Sequence, residues 1–542
     1  MNPDPLWYKD AVFYEVYLRA FADGNGDGIG DFLGLTGKLD YIQSLGVDCI
    51  WLMPFYPSPL VDDGYDIADF FGVHPDYGTV DDMRAMLAAA HERGIRVIAD
   101  LVMNHTSDQH PWFRDSRAGR SAPLRDYYLW SPTADRFKEA RIIFVDSQTS
   151  NWQYDPPTRE YYFHRFFPQQ PDLNYDNPAV QQAMFEIMRH WLDLGLDGFR
   201  CDAVPYLFKR EGTNCENLPE THAYLQKVRR FIEENYPGRI LLAEANQWPA
   251  DVRPYFGEGD EFNMAFDFPL MPRIFIALKR ERRDAIDWVM EKTPEIPETT
   301  QWCTFLRNHD ELTLEMVTPE EREYLWTEYA RDIRMRLNLG IRRRLAPLLD
   351  NNLDKILVAN SLLLTLVGSP IIYYGDEIGM GDNIWLKDRD GVRTPMQWSD
   401  SANGGFSTAD KLYEPIIAEE EYGYRRVNVA REEGDRFSLL NSMRRLIAVR
   451  KKYRAFGRGS TRMINLGNEH VLAYERCWND ERILVVNNLS AESQPIQLGE
   501  YAGGSGWDVL GQREFDFPPA AQLEPFEFLW LLLDEGAEKK VE

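Results

Sequence analysis

The sequence predicts a (β/α)8 TIM barrel with an inserted subdomain after strand 3, a helical insertion after strand 7 and a C-terminal antiparallel β domain. Three observations carry this expectation. Over the first two thirds of the chain, eight β-rich apolar runs alternate with helical patterns. The runs are continuously apolar, which suits parallel strands buried on both faces. From about residue 456 the pattern turns to short strands such as HVLAYERC, ERILVVNN and FEFLWLLL, as an antiparallel domain reads. Alternation alone leaves an open doubly wound sheet as the alternative; its eightfold repetition argues for a barrel.

The strand runs, in order, are AVFYEVYLRAF (11–21), CIWLMPFY (49–56), RVIADLVMNH (96–105) and GFRCDAV (198–204), then ILLAEAN (240–246), FNMAFDF (262–268), WCTFLRNHD (302–310) and PIIYYGDE (370–377). A helix is expected over 80–92, where Thr79 and Asp82 make a capping-box-like start and Met83, Met86, Leu87 and Ala90 share a face. Others are expected over 177–194, 221–235, 271–291, 354–367 and 437–452. Two stretches break the rhythm. Residues 105–176 are rich in Tyr, Trp, Phe and Pro, and a connection that long is functional or a small domain. Residues 311–350 read as a charged, helical insertion whose Arg342, Arg343 and Arg344 are expected to pair with the nearby Glu-rich segment. The expected division is a barrel over 1–104 and 175–455, a subdomain over 105–174 and a β domain over 456–542, with EGAEKKVE as a frayed tail.

Composition narrows the function classes. The chain has 542 residues, is 44% hydrophobic and carries a net charge of −27. That size buries one large core and a smaller one, and that charge disfavours nucleic acid and other polyanions. Five scattered cysteines without a CxxC pair read as free thiols in a reducing compartment. The start, MNPDPLWYKD, has no signal-peptide pattern, and no apolar run approaches a membrane span. A cytoplasmic enzyme with no membrane partner is expected. NHT at Asn104 and NLS at Asn488 are then chance matches to the glycosylation pattern.

In a barrel, chemistry sits at the C-terminal ends of the strands. Here the third run ends in Asn104–His105, the fourth carries Arg200 and Asp202, the fifth ends in Glu244, and the seventh ends in Asn308–His309–Asp310. Singly, a strand-end Asp is more often a helix cap and a lone His a satisfied core residue. Together they ring one mouth. No G-x-S-x-G elbow, HExxH or G-x-G-x-x-G followed by a helix occurs. The histidines lack metal-ligand spacing. Carboxylates without a metal or a nucleophilic Ser point to acid/base work at an acetal. Tyr65, Phe144 and Phe166 would offer stacking faces to sugar rings.

DGNGDGIGDF (23–32) places Asp23, Asn25, Asp27 and Asp31 at alternate positions, with a carbonyl at Ile29. The spacing resembles the first nine positions of an EF-hand loop. The twelfth is Gly34 rather than Glu, and a strand, not a helix, precedes the loop. It is not an EF-hand.

DLVMNH (100–105), GFRCDAV (198–204), LLAEAN (241–246) and FLRNHD (305–310) resemble the four short motifs of the α-amylase family, glycoside hydrolase family 13, in the right order. QPDLN (170–174) is similar to the extra motif of its oligo-1,6-glucosidase branch. REGTNCENLPETH (210–222), LLAEANQWPADVRPYFG and LRNHDELTLEMVT resemble the members that interconvert maltose and trehalose. The resemblance implies Asp202 as nucleophile, Glu244 as general acid/base and Asp310 as the third carboxylate, with Arg200 keeping Asp202 ionised. It implies that Asp62, Tyr65, His105, His309, Gln170 and Arg393 bind the glucosyl ring. Ala203 after the nucleophile resembles members that act on α-1,4 bonds. The implied reaction is reversible isomerisation of maltose to trehalose through a glucosyl-enzyme, with minor hydrolysis; the alternative is an α-glucosidase. Residues 105–176 and 311–350 are the expected lid. The resemblance also implies a structural Ca2+, or Mg2+, on Asp23, Asn25, Asp27, Ile29 and Asp31. A second Ca2+ is implied on Asn104, Asp172 and Glu211 with the carbonyls of Tyr206 and Leu207. No organic cofactor is implied, and a homodimer is expected.

Overall fold

A computed structural model of the chain describes residues 4–418 and 421–533. Eight parallel strands close into a barrel: β1 (Phe13–Val16), β2 (Cys49–Leu52), β3 (Arg96–Val102), β4 (Gly198–Asp202), β5 (Ile240–Ala243), β6 (Met264–Phe266), β7 (Gln301–Phe305) and β8 (Ser369–Tyr373). Each pairs with its successor, and β8 returns to β1, so that Phe13 lies between Cys49 and Ile371. The doubly wound alternative is thereby excluded. The strands are shorter than their apolar runs. After β1 the chain turns into the short helix Leu18–Phe21, whose Leu18, Ala20 and Phe21 are still buried. An apolar run marks burial, and here burial continues past the end of the ladder.

The helix Val80–Glu92 has the Thr79–Asp82 capping box and buries Met83, Met86, Leu87 and Ala90. The helix expected over 271–291 is two: Leu270–Arg280 and Asp284–Lys292. Glu281 caps the first in the left-handed region at φ 55°. The break lets Arg283 donate from its backbone N–H to the Glu469 carbonyl at 3.0 Å and from its side chain to Ile464 O at 2.7 Å. It thus seats the barrel against the C-terminal strands.

Between β3 and β4 lies a three-stranded antiparallel sheet of Trp130–Ser131, Glu160–Phe163 and Trp152–Asp155. The segment after β7 is only partly helical. It combines the capped helix Pro319–Tyr329 with a small sheet of Leu312–Thr313, Gly340–Ile341 and Arg336–Leu337. Arg342, Arg343 and Arg344 do not pair with the Glu-rich segment. Arg343 pairs with Asp382 at 2.9 Å, Arg344 with Asp376 at 3.4 Å, and Arg342 donates to the Ile384 carbonyl at 3.0 Å. The sheet turns all three toward the chain after β8, where carbonyls and buried carboxylates need donors.

The C-terminal strands form a six-stranded antiparallel sheet from Ser460–Ile464 to Arg513–Asp516 and a two-stranded one. The tail EGAEKKVE lies outside the described residues. Asn104 and Asn488 are fully buried, which closes both glycosylation matches. Among the described residues, no helix is long and apolar enough to cross a membrane, and all five cysteines are free.

Candidate active site

Side chains alternate along a strand, so Arg200 and Asp202 of β4 share the interior face. Arg200 is fully buried and grips three carboxylates. Nη1 meets Asp202 Oδ1 at 2.7 Å and also pairs with Asp100 of β3; Nη2 meets Glu244 Oε1 at 2.8 Å. Asp100 in turn accepts from the Trp51 indole N–H at 2.7 Å. Ala203, at φ 55°, turns the chain so that its N–H donates to Glu244 Oε2 at 3.2 Å. Two carboxyl groups are thus held on the two ends of one guanidinium.

Their electrostatics differ. Burial pushes the Glu244 carboxyl up to about 8, against the pull of Arg200 and with repulsion from Asp202 and Asp310. Burial raises Asp202 as well, opposed by Arg200. Arg200 therefore moderates the cost of burial without cancelling it. A hydrogen bond with Glu244 also favours the ionised form of Asp202. Burial pushes Asp310 up too, but His309, Arg389 and Arg393 outweigh it and hold Asp310 well below the usual carboxylate range. A protonated carboxyl beside ionised ones is the division of labour that acid-assisted displacement requires.

Asp62, Tyr65, His105, Phe144, Phe166, Asp202, Glu244 and Asp310 all line one cavity of about 130 Å3. Arg200, Gln170, His309 and Arg393 stand behind it as supports. Gln170 donates to Asp62 at 2.8 Å, and Arg393 meets Asp310 at 3.1 Å and donates to the His309 carbonyl at 2.8 Å. The His309 ring stacks on Tyr65 with centroids 5.4 Å apart, and its Nε2 lies 2.8 Å from the Tyr65 hydroxyl. His105 places Nε2 3.0 Å from the Tyr65 carbonyl and packs against Phe166.

Sequence reasoning missed several residues. Arg389 lines the cavity and bridges Asp62 at 3.0 Å, Asp310 at 3.3 Å and Glu311 at 3.0 Å, closing one wall. It lies four residues before Arg393 in the charged stretch LKDRDGVR, where only Arg393 was singled out from the sequence. Asn246, Glu311 and Glu315 also line the cavity. Arg141 of the inserted subdomain meets Glu216 at 2.8 Å, Glu315 at 2.6 Å and the Tyr206 hydroxyl at 3.0 Å. One guanidinium thus joins the subdomain to the 210–222 stretch and to the insertion after β7.

The two expected cation sites differ in chemistry. In the 23–31 loop, Asp23 accepts from the Gly26 and Gly28 N–H groups at 2.6 and 2.8 Å. Asp31 accepts from Gly24, Asn25 and Gly34 at 3.1, 3.1 and 2.6 Å. Asn25 donates to Asp27 at 3.1 Å, and the Ile29 N–H donates to Asp27 at 2.9 Å. Among the described residues no three His, Cys, Asp or Glu side chains converge as a finished metal cage. The loop's carboxylates are turned on its own amides. Its donors are nonetheless all oxygen, and no ion pair among the described residues involves Asp23, Asp27 or Asp31, so the donor chemistry fits a hard cation. The second set does not fit. The Lys209 ammonium lies 2.7 Å from Asp172 and 3.1 Å from Asn104 Oδ1, with the Leu207 carbonyl at 3.5 Å. A fixed cation already takes these oxygens. Glu211 points away to Arg136 at 2.8 Å, and Tyr206 faces the cavity. These residues therefore do not fit a second Ca2+.

The profile described as alpha amylase, catalytic domain, matches residues 15–335 and 342–459, and that of the maltogenic amylase C-terminal domain matches 461–530. The chain is 57% identical over 553 residues to the trehalose synthase/amylase TreS of Mycolicibacterium smegmatis, covering 98% of this chain and 93% of that protein. It is 54% identical to a trehalose synthase of a Pimelobacter species, covering 99% and 97%. The solved trehalulose synthase MutB from Pseudomonas mesoacidophila superposes with a TM-score of 0.79 at 31% identity, covering 97% of this chain and 99% of that one. With its barrel closed, its carboxylates on one arginine and this extent of likeness, the chain belongs to the α-amylase family.

Proposed function

We propose that the protein isomerises maltose and trehalose reversibly by intramolecular glucosyl transfer with retention, with minor hydrolysis to glucose. The observation that carries the reading is the Asp202–Arg200–Glu244 arrangement at the base of a cavity walled by Arg389. An inverting pair needs about 6.5–9.5 Å between its carboxyl groups for a water. Asp202 and Glu244 on the two terminal nitrogens of one guanidinium are held close together, which favours the shorter separation of a retaining pair. Asp202 then attacks C1 of the non-reducing glucose of maltose as Glu244 gives its proton to the leaving oxygen. The C1–O bond breaks and a glucosyl ester forms. Glu244, now ionised, takes the proton of the 1-hydroxyl of the released glucose, whose oxygen displaces Asp202 at C1. Charge and atoms balance without a co-reactant.

Isomerisation rather than hydrolysis requires that the released glucose stay and turn. Arg389 and Asp62, paired at 3.0 Å, both line the pocket and would help to close it around the glucosyl ring. The Arg141 contacts join the elements above it and hold a high effective concentration of acceptor. The trehalose synthases among its relatives favour the same reading. Incubation with maltose, followed by nuclear magnetic resonance of the anomeric protons, should show a trehalose signal that Asp202→Ala abolishes. Glucose as the dominant product would favour the α-glucosidase instead.

We also propose that the 23–31 loop takes Ca2+ or Mg2+ on Asp23, Asn25, Asp27, Asp31 and the Ile29 carbonyl. The cation would brace the loop after β1 and take no part in the chemistry. Chelation should lower the melting temperature before it touches the intrinsic rate.

A further inference from the structure

Glu15 is the one charged residue of β1, and it is fully buried. Its Oε1 contacts His309 Nδ1, and its Oε2 has no hydrogen-bond partner. On the opposite side of the ring, His309 Nε2 lies 3.2 Å from Asp310 Oδ2 as well as 2.8 Å from the Tyr65 hydroxyl. Trp51 meets the ring edge-on with centroids 5.6 Å apart. Glu15 and His309 do not line the cavity, whereas Asp310 and Tyr65 do. A neutral imidazole has one N–H and can serve only one of two carboxylates. A ring with a carboxylate at each nitrogen serves both only as imidazolium.

We propose that Glu15 is a positioning residue of the transfer site, which holds His309 doubly protonated and thereby fixes the charge and orientation of Asp310 without touching substrate. The proposal rests on the functional reading above only in placing Asp310 at the reacting sugar. His309 is raised to about 9, burial being opposed and outweighed by Asp310 and Glu15. The other charged groups around the pair are Asp100 on β3, Arg200 behind Tyr65, Arg389 and Arg393 on Asp310, and Asp376 beyond Glu15. Among the described residues, Glu15 is the one that contacts Nδ1.

The test uses the full chain with nitrogen-15-labelled histidine, the His309 signals being assigned by their loss in His309→Gln. In the wild type both ring nitrogens should carry the imidazolium signature at about pH 7.5, one unit above the ordinary value of 6.5. Glu15→Gln keeps an acceptor on Nδ1 and removes the charge, so the signature should become that of neutral imidazole. Cleavage of p-nitrophenyl α-D-glucoside supplies the second readout. If the variant's His309 returns to its ordinary value, about 3% stays protonated at about pH 8, and kcat/KM should fall about 30-fold there and recover towards wild type below about pH 6.5. A loss equal at every pH, with His309 still imidazolium, would reduce Glu15 to packing and overturn the proposal. Should the variant not fold, neutral His309 in the wild type overturns it and imidazolium supports it. This substrate is cleaved by isomerase and hydrolase alike, so failure here is distinct from failure of the maltose reading.

Discussion

Glu244 and Asp202 sit on the same arginine, yet the roles asked of them are opposite, and their pH dependence should show it. Glu244 must be protonated to act as acid, so kcat/KM should fall as pH rises through about 8. Asp202 must be ionised to attack, so kcat/KM should fall as pH drops through its pKa, which burial raises from the ordinary aspartate value. A pH–rate profile of the free enzyme checks both limbs. Glu244→Gln should cost about 10²–10⁴-fold in kcat/KM on maltose. Lys209 makes a different kind of claim. Its ammonium and the Asp172 carboxylate are both buried, and removing one partner of a buried pair costs about 3–5 kcal/mol. Lys209→Ala should lose stability of that order in denaturant titration. If the oxygens truly belong to lysine, added Ca2+ should not restore it.

At the scale of elements, Arg141 ties three segments that come from different parts of the chain. Arg141→Ala should leave cleavage of maltose largely intact while raising the glucose share of the products, because water enters once the roof loosens. Product analysis by chromatography reads that share; an unchanged ratio would remove the clasp from the account. In the 23–31 loop, Gly28 has φ 95°, and a Cβ there would come within 2.1 Å of the Lys411 carbonyl oxygen. Gly28→Ala should therefore lower the melting temperature through backbone strain, with or without a cation. These elements also show what could be read in the sequence. The capping box at Thr79 and the strand-end carboxylates Asp202, Glu244 and Asp310 were legible, since caps and catalytic motifs are local in sequence. Arg389 and Arg141 were not: each acquires meaning only from partners that the fold brings across long separations. Glu15 was a missed signal of another sort, a lone carboxylate within an apolar strand. Lys209 shows that a motif's ligands can be present while a neighbouring side chain has taken the metal's place.

For the molecule as a whole, the barrel presents Asp202 and Glu244 on one arginine, and the insertions after β3 and β7 complete the cavity above them. Segment 105–176 and segment 311–350 contribute Phe144, Phe166, Glu311 and Glu315 to the same lining. The C-terminal sheet is anchored far from that mouth through Arg476, which donates to the Thr365, Phe456 and Gly459 carbonyls at 2.8, 2.9 and 3.0 Å. In the proposed reaction, glucose released inside this enclosure is the acceptor. The most direct measurement adds isotopically labelled free glucose to protein and unlabelled maltose, then follows label in the disaccharide products. Trehalose that forms with little label is the predicted result. Heavy labelling of trehalose, or glucose as the main product, would contradict a transfer kept within the pocket.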